Sequence, residues 1–316
     1  MKHIKFTYIL IAFITGVGFV LISAFIQNPM SEPIHEIGFK QDCDCNVKSL
    51  NIPKQMEFAG EEVPLNDPEV QMRLDREFLV NTYWQSNAIL LAKRAKKYFP
   101  IIEPILEEYG VPDDFKYLAL AESGLTQIVS PAGATGFWQI MKETGKEYGL
   151  EINTNVDERY HIEKSTRVAC QYLKQSKEKF GTWTLAAAAY NAGNAGIRKQ
   201  MNRQKAENYY DLLLVEETSR YVFRILAMKE IIGNYESYGF QIDENHFYPK
   251  IEVTQVEIDT SIENLADLAH EFGISYKTLK LHNPWLREVN LVNNSRKKYQ
   301  LEIPVKGQYE FLSQEQ

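Results

Sequence analysis

Cysteine is scarce in this chain of 316 residues, which contains three of them: Cys43, Cys45 and Cys170. Three cysteines cannot build a disulfide framework, and Cys43 and Cys45 are too close in the chain to bridge each other easily. Cysteine and histidine together also fail to provide four metal ligands at any familiar spacing. We therefore interpret the cysteines as incidental to function, and we expect neither a metal site nor a cofactor.

An excess of positive charge is also absent, since 35 lysines and arginines stand against 42 aspartates and glutamates. A net charge of -7 and an isoelectric point of about 5.5 give the chain no means of attracting a polyanion. Nucleic acid is therefore not an expected partner. The apolar fraction of 44% is enough to bury a core, and the chain length suggests about one to three domains.

Charge is missing altogether from Phe6 to Ile26, directly after Lys2 and Lys5. This run is long for the core of a signal peptide and close to the roughly 20 residues of a membrane span. We interpret residues 1–27 as a signal peptide or an N-terminal membrane anchor, and both imply export to the periplasm or cell envelope. No small-x-small cleavage site is evident, and an uncleaved span would leave its lysine-bearing end in the cytoplasm.

Residues 28–59 contain three prolines and no periodic apolar pattern, and we predict that they form a linker. Helical spacing begins after Asp67. It predicts three helices, over residues 69–83, 84–99 and 101–109. We expect Pro100 to end the second of them, because a proline inside a helix removes a backbone hydrogen bond. This helical amino-terminal part, residues 60–110, is expected to brace the rest of the domain.

One glutamate, Glu122, lies on the apolar face of a helix that is predicted to begin at Pro112. Phe115, Leu118, Ala119 and Glu122 are spaced i, i+3, i+4 and i+7, which places the carboxylate on the face that should be buried. The ordinary interpretation is a salt bridge at a helix end, but no lysine or arginine lies one turn away. Because an apolar environment raises a carboxyl pKa, we predict that Glu122 is a proton donor.

Small and turn-forming residues fill positions 130–136, and such a loop lets the backbone approach a ligand closely. Residues 137–141 are predicted to open another helix, with the amide of Gln139 among four large apolar side chains. An amide beside aromatic rings and a poised carboxyl suits a carbohydrate, which offers hydroxyls to bond and ring faces to stack on. The alternative for Gln139 is an ordinary position on a helix surface.

Two further helices are predicted, over residues 160–180 and 183–191. The second is rich in alanine, so we expect it to pack tightly against its neighbours. It ends in Tyr190 and Asn191 shortly before Gly193, which lets their polar tips reach a cleft.

The segments around these residues resemble the signatures of a known enzyme family. Ala121-Glu-Ser-Gly124, Gly136-Phe-Trp-Gln-Ile-Met141 and Ala189-Tyr-Asn-Ala-Gly193 are similar, in order and spacing, to the three signatures of lysozyme-like lytic transglycosylases. The similarity is strongest to the membrane-bound lytic murein transglycosylase D type. It covers residues 60–235 and implies a mainly α fold with a lysozyme-like helical catalytic domain.

The resemblance also implies roles for individual residues. Glu122 matches the single catalytic acid of the family, and the segment from Glu217 to Tyr221 resembles a later motif whose tyrosine reaches back toward that acid. The substrate-binding positions correspond to Ser123, Gln139, Tyr190, Asn191 and Tyr221. Phe137 and Trp138 replace the residues of the commoner Gly-Leu-Met-Gln motif, and this change bears on the shape of a subsite rather than on the reaction.

The resemblance implies peptidoglycan glycan strands as substrate and a reaction that does not consume water. Glycosidases usually use two carboxyl groups, whereas one poised acid is evident here. Glu122 would act as acid and then as base on the MurNAc-GlcNAc β-1,4 bond and leave 1,6-anhydro-MurNAc ends. The alternatives are a hydrolytic muramidase and a catalytically inactive wall-binding protein. We expect a monomer that contacts the membrane only if its N-terminal segment stays uncleaved.

The C-terminal part of the chain has a different pattern. Residues 236–249 are polar and mixed and predict a second linker, and residues 306–316 form a tail. Between them, residues 250–305 predict a strand, two helices and a strand, a small α+β module. Segments 265–275, 279–284 and 301–304 resemble a LysM module, which binds N-acetylglucosamine-containing glycans. The usual Gly-Asp-Thr is absent at the first helix, so glycan binding and a purely structural role both stay open.

Overall fold

The computed structural model describes residues 47–309. The predicted membrane segment, most of the first predicted linker, Cys43 and Cys45, and the end of the tail lie outside this range. Within it, no helix combines the length and the apolar character that crossing a membrane requires. Two short antiparallel strands, β1 (Glu57–Phe58) and β2 (Glu61–Glu62), precede the helices.

The last residues of the predicted linker pack against the helical domain. Phe58 is fully buried, and its ring centroid lies 5.2 Å from that of Phe115. The backbone N–H of Ala59 donates to Asp114 Oδ2 at 2.7 Å, and the same oxygen accepts from Lys229 Nζ at 2.7 Å. The folded part of the chain therefore begins before residue 60.

The main body of the described chain is built from helices. They are α1 (Pro68–Tyr83), α2 (Gln85–Tyr109), α3 (Lys116–Ser123), α4 (Lys142–Glu147), α5 (Ile162–Phe180), α6 (Trp183–Ala192), α7 (Asn194–Gln204) and α8 (Glu216–Gly233). Residues 186–189, all alanine and all fully buried, allow α5, α7 and α8 to pack directly around α6. Helices α7 and α8 were not predicted from the sequence.

Helix α2 is longer than predicted, because Pro100 lies inside it and does not end it. A proline in a helix interior is unfavourable by about 3 kcal/mol. Ile102 and Leu106, which follow Pro100, are almost completely buried, and this burial offsets the loss of the hydrogen bond. The helix ends at Gly110, whose φ of 63° is left-handed.

The C-terminal module contains β3 (Val253–Ile258), α9 (Leu265–Glu271), α10 (Tyr276–His282) and β4 (Tyr299–Pro304). Its strands pair antiparallel, with Val256 opposite Leu301. The module has its own apolar core, which also includes Val156 and Tyr160 from the main body. The predicted fold class, mainly α with a small βααβ module, is confirmed.

Candidate active site

Glu122 lies in the last turn of α3, which ends at Gly124 with a φ of 59°. Leu118 and Ala119 on the same helix are fully buried, so the predicted apolar face is confirmed. The side chain of Glu122 is half-buried, and its Oε1 accepts a hydrogen bond from the hydroxyl of Tyr221 on α8. The segment from Glu217 to Tyr221 thus brings its tyrosine to the carboxyl, as expected.

Burial raises the pKa of Glu122 to about 7. The hydrogen bond from Tyr221 and the positive charge of Arg224 act in the opposite direction, and the negative charge of Glu217 adds to the increase. In the part of the chain that the structure describes, no lysine or arginine nitrogen lies within 4.0 Å of this carboxylate. A carboxyl in this state can give up and take back a proton near neutral pH.

Two other glutamates are more completely buried than Glu122, which the sequence did not reveal. Glu77 is 1% exposed and Glu158 is 3% exposed. Glu77 accepts from Arg220 Nε at 2.7 Å, and Glu158 accepts from Lys164 Nζ at 2.6 Å. The hydrogen-bond partner of Glu122 is a neutral phenol, whereas these two acids have cations. This difference in partner distinguishes Glu122 from the other buried glutamates.

Two hydroxyls hold the loop of residues 128–141, the Gln139 loop. Ser123 Oγ donates to the carbonyl of Phe137 at 2.9 Å, and the Tyr190 hydroxyl donates to the carbonyl of Trp138 at 2.7 Å. Gln139 follows with a φ of 47°, and its Nε2 donates to the carbonyl of Gly136 at 2.8 Å. The predicted helix over residues 137–141 is therefore wrong: these carbonyls bind side chains, and α4 begins only at residue 142.

Trp138 is an anchor of this loop and has no exposed surface. Its side chain is fully buried, and its Nε1 donates to Thr166 Oγ1 on α5 at 2.8 Å. Its ring centroid lies 6.5 Å from that of Tyr190. Phe137-Trp138 in the second motif of this chain thus places a buried indole directly before Gln139.

The third and fourth motifs are joined by a side-chain hydrogen bond. Thr218 Oγ1 on α8 donates to Asn191 Oδ1 at the end of α6, at a distance of 2.8 Å. Burial raises the pKa of Tyr190 and of Tyr221, and the negative charge of Glu122 adds to both increases. The carboxyl of Glu122 on α3 and the phenol of Tyr221 on α8 are in direct contact.

Arg159 is a residue at the site that the sequence did not single out. Its Nη1 donates to the carbonyls of Gly133 at 3.0 Å, in the middle of the Gln139 loop, and of Ile140 at 3.2 Å, near the end of the loop. Asp157 accepts from its Nε at 2.9 Å and from its Nη2 at 2.7 Å. An Asp-x-Arg sequence is a possible sign of this ion pair, but it does not indicate which carbonyls the arginine binds.

Comparison with known proteins identifies two domains in the chain. Residues 100–213 match the transglycosylase SLT domain, and residues 254–307 match the soluble lytic transglycosylase C-terminal LysM-like domain. Membrane-bound lytic murein transglycosylase D of Escherichia coli K12 is 30% identical over 237 residues, which are 72% of this chain and 50% of the relative. The chain thus spans about half the length of this curated relative.

Two solved structures are also similar to parts of the chain. Lytic transglycosylase Slt of Pseudomonas aeruginosa is 24% identical, with a TM-score of 0.37. The match covers 47% of this chain and 26% of the Pseudomonas chain. The 70 kDa soluble lytic transglycosylase of Escherichia coli is 20% identical, with a TM-score of 0.38. That match covers 48% of this chain and 27% of the Escherichia coli chain. The two domain matches and the 30% identical relative show that the chain contains a transglycosylase SLT domain followed by a LysM-like C-terminal domain, as the sequence motifs indicated.

Proposed function

We propose that this protein is a lytic transglycosylase that cleaves the MurNAc-GlcNAc β-1,4 bond of peptidoglycan without consuming water. The observation that carries the proposal is the state of Glu122, a carboxyl that burial brings to a pKa of about 7 and that binds a phenol rather than a cation. The transglycosylase SLT domain and the relative that acts on murein by its name support the same substrate class.

In the proposed first step, protonated Glu122 donates its proton to the glycosidic oxygen, and the C1–O bond breaks. The acetamido oxygen of the same sugar supports the positive charge that develops at C1. Glu122 is now a carboxylate, and the Tyr221 hydroxyl stabilises it by a charge-assisted hydrogen bond. It then accepts the proton of the C6 hydroxyl while that oxygen bonds to C1. The acid is regenerated, and the glycan keeps a 1,6-anhydro end.

The remaining motif residues are proposed to place the sugar. Gln139 would bind a substrate hydroxyl or amide through its own side-chain amide, and Asn191 would contribute from the end of α6. Ser123 and Tyr190 donate to the carbonyls of the two residues before Gln139, so their contribution includes holding that loop in place. Tyr221 acts mainly through Glu122.

The proposed location is the cell envelope, where peptidoglycan lies. The similar Escherichia coli protein is membrane-bound by its name, and residues 6–26 form an uncharged run that would serve as an export signal or an anchor. We propose that the enzyme acts there as a monomer, since its catalytic carboxyl and the partners of that carboxyl belong to one chain.

The decisive experiment is mass spectrometry of the fragments that the protein releases from purified peptidoglycan. We expect muropeptides lighter by one water, about 18 Da, than their hydrolysed counterparts, because the base accepts the C6 proton instead of a proton from water. Glu122→Gln should reduce release by about 100-fold to 10,000-fold. Glu143→Gln, at an exposed position in α4, is the matched control and should keep full activity. Turnover by the Glu122 variant that is comparable to that of the wild-type protein would exclude this mechanism.

One observation favours a second candidate, hydrolysis by a muramidase. Glu217 is exposed in the first turn of α8, and its negative charge acts on Glu122. Such a neighbouring carboxylate is what a hydrolytic mechanism would require. Fragments of full mass that disappear in Glu217→Gln would establish hydrolysis. Bound peptidoglycan without any fragments would instead indicate a wall-binding protein.

A further inference from the structure

Residues 151–161 lie between the C-terminal module and the Gln139 loop and contact both. On the module side, the backbone N–H of Asp157 donates to the carbonyl of Trp285 at 2.9 Å, and the N–H of Arg287 donates to the carbonyl of Asn155 at 2.7 Å. Val156 and Leu286 form a β-bridge between these bonds. The main body and the module are thus joined by backbone pairing.

Side chains seal the same contact. Val156 is 1% exposed and belongs to the apolar core of the module, although it lies about a hundred residues before it in the chain. The Arg287 guanidinium lies 3.9 Å from the centroid of the Tyr160 ring. Asn155 Nδ2 donates to Asn290 Oδ1 at 2.9 Å. Burial of Val156 depends on the module staying in place.

Polar side chains just before β4 and at its first residue extend the contact. Lys297 Nζ lies 2.6 Å from Glu151 Oε2 and 3.3 Å from Glu158 Oε1. The hydroxyl of Tyr299 donates to Glu151 Oε2 at 2.9 Å. The bonds to Glu158 and from Tyr299 are partly buried, and all three share partners. They therefore fix the orientation of the module more firmly than an isolated surface pair would.

On its other side, the same segment supports the loop that carries Gln139. Arg159 binds the carbonyls of Gly133 and Ile140, and Asp157 holds the guanidinium with two bonds. The carbonyl of Tyr160 accepts from Gln127 Nε2, just before the loop, at 2.8 Å. Asp157 therefore binds the module through its backbone and the arginine of the loop through its side chain.

We infer that the C-terminal module holds the Gln139 loop in its catalytic shape through residues 151–161, with Asp157 and Arg159 as positioning residues. The surface that residues 285–291 of the module present toward the main body is a docking surface for the catalytic domain. The effect on turnover rests on the proposed function, whereas the mechanical coupling of module and loop does not.

The test uses the full chain with Val156→Asp, which puts a charge into the shared core and should release the module. Hydrogen exchange measured by mass spectrometry should then rise several-fold in residues 285–291 and also in residues 128–141. Val292→Asp makes the same change at a position 54% exposed on the module and should leave both segments unchanged. Val156→Ile keeps the apolar contact and should behave like the wild type. Release of the module with no change in residues 128–141 would overturn the inference.

A milder variant covers the case in which Val156→Asp does not fold. Asn155→Ala removes the bonds to Asn290 and should increase exchange in the same two segments by a smaller amount. On soluble glycan strands, the folded variants should lose at least about tenfold in kcat/KM, mainly through a higher KM, since Gln139 binds substrate. An unchanged KM with a mobile loop would refute the positioning role. If the wild-type protein cleaves nothing, the proposed function fails, and the exchange experiment still decides the coupling.

Discussion

Glu122 has to satisfy two opposing requirements in the proposed reaction. It must hold a proton when the substrate arrives, and it must be stable as an anion after the first step. Burial among apolar residues provides the first property, and the Tyr221 hydroxyl provides the second. A lysine or arginine in direct contact would keep the carboxyl ionised and remove the acid. A phenol as the partner therefore stabilises the anion and still lets the carboxyl hold a proton near neutral pH.

The pH dependence of kcat/KM tests this balance. Because Glu122 must start protonated and its pKa is about 7, we expect activity to fall as the pH rises through that value. The hydrogen bond from Tyr221 lowers the pKa of Glu122, so Tyr221→Phe should move this alkaline limb to higher pH. Tyr148→Phe, which loses a bond to Gln175, is the control and should leave the limb in place. A limb that stays or moves downward in Tyr221→Phe would contradict the assignment.

The position of Glu122 was predictable because helical spacing alone places its side chain on the buried face of α3. Its neighbour Ser123 and the later Tyr190 were located by motif, but their bonds to successive carbonyls were not predictable. The role of Arg159 was not predictable, because it depends on which loop lies opposite the arginine in space, and Asp-x-Arg indicates only the ion pair with Asp157. Local patterns report the face of a helix, whereas long-range hydrogen bonds depend on tertiary structure.

The Gln139 loop owes its shape to close backbone packing as well as to hydrogen bonds. Gly136 has a φ of 78°, and a Cβ built there would lie 2.3 Å from the carbonyl oxygen of Arg159. Gly133 also has a positive φ, of 85°, but a Cβ there would meet nothing within 4 Å. A side chain at either glycine would meet backbone strain, whereas a side chain at Gly136 would also collide with Arg159.

Alanine substitutions at these glycines give a matched pair. Gly136→Ala should lower the free energy of unfolding by about 1–3 kcal/mol more than Gly133→Ala, because it must also displace Arg159. It should also reduce turnover, since the loop carries Gln139. Urea denaturation and fragment release measure the two effects. Equal losses in both variants would mean that the contact with Arg159 does not matter.

Periodicity succeeded for the helices with a continuous apolar face and failed where another constraint decided the structure. The predictions over residues 160–180 and 183–191 agree closely with α5 and α6. Pro100 was expected to end α2, but the apolar face continues past it and remains buried. Residues 137–141 have large apolar side chains that suit a helix, yet hydroxyls from α3 and α6 bind their carbonyls. Tertiary contacts thus overrode local propensity.

Residues 50–59, in the described end of the predicted linker, complete the core of the protein, although their composition predicted only a linker. Leu50, Ile52 and Met56 pack partly against the main core, and Phe58 is fully buried in it. Asp114, two residues before α3, binds both Ala59 of this segment and Lys229 of α8. The segment therefore links α8, which carries Tyr221, to the residues directly before α3, which carries Glu122.

Phe58→Ala should lower the free energy of unfolding by about 3–5 kcal/mol, because it removes a fully buried ring and leaves a cavity beside Phe115. Phe272→Ala is the matched control, since that ring is 37% exposed, and it should change stability by less than about 1 kcal/mol. Denaturant unfolding at constant pH measures both. Equal effects would mean that the segment is only loosely attached. A large loss at Phe58 alone would mean that the catalytic domain needs residues that precede its first long helix, so that a chain shortened to residue 60 would lose stability together with activity.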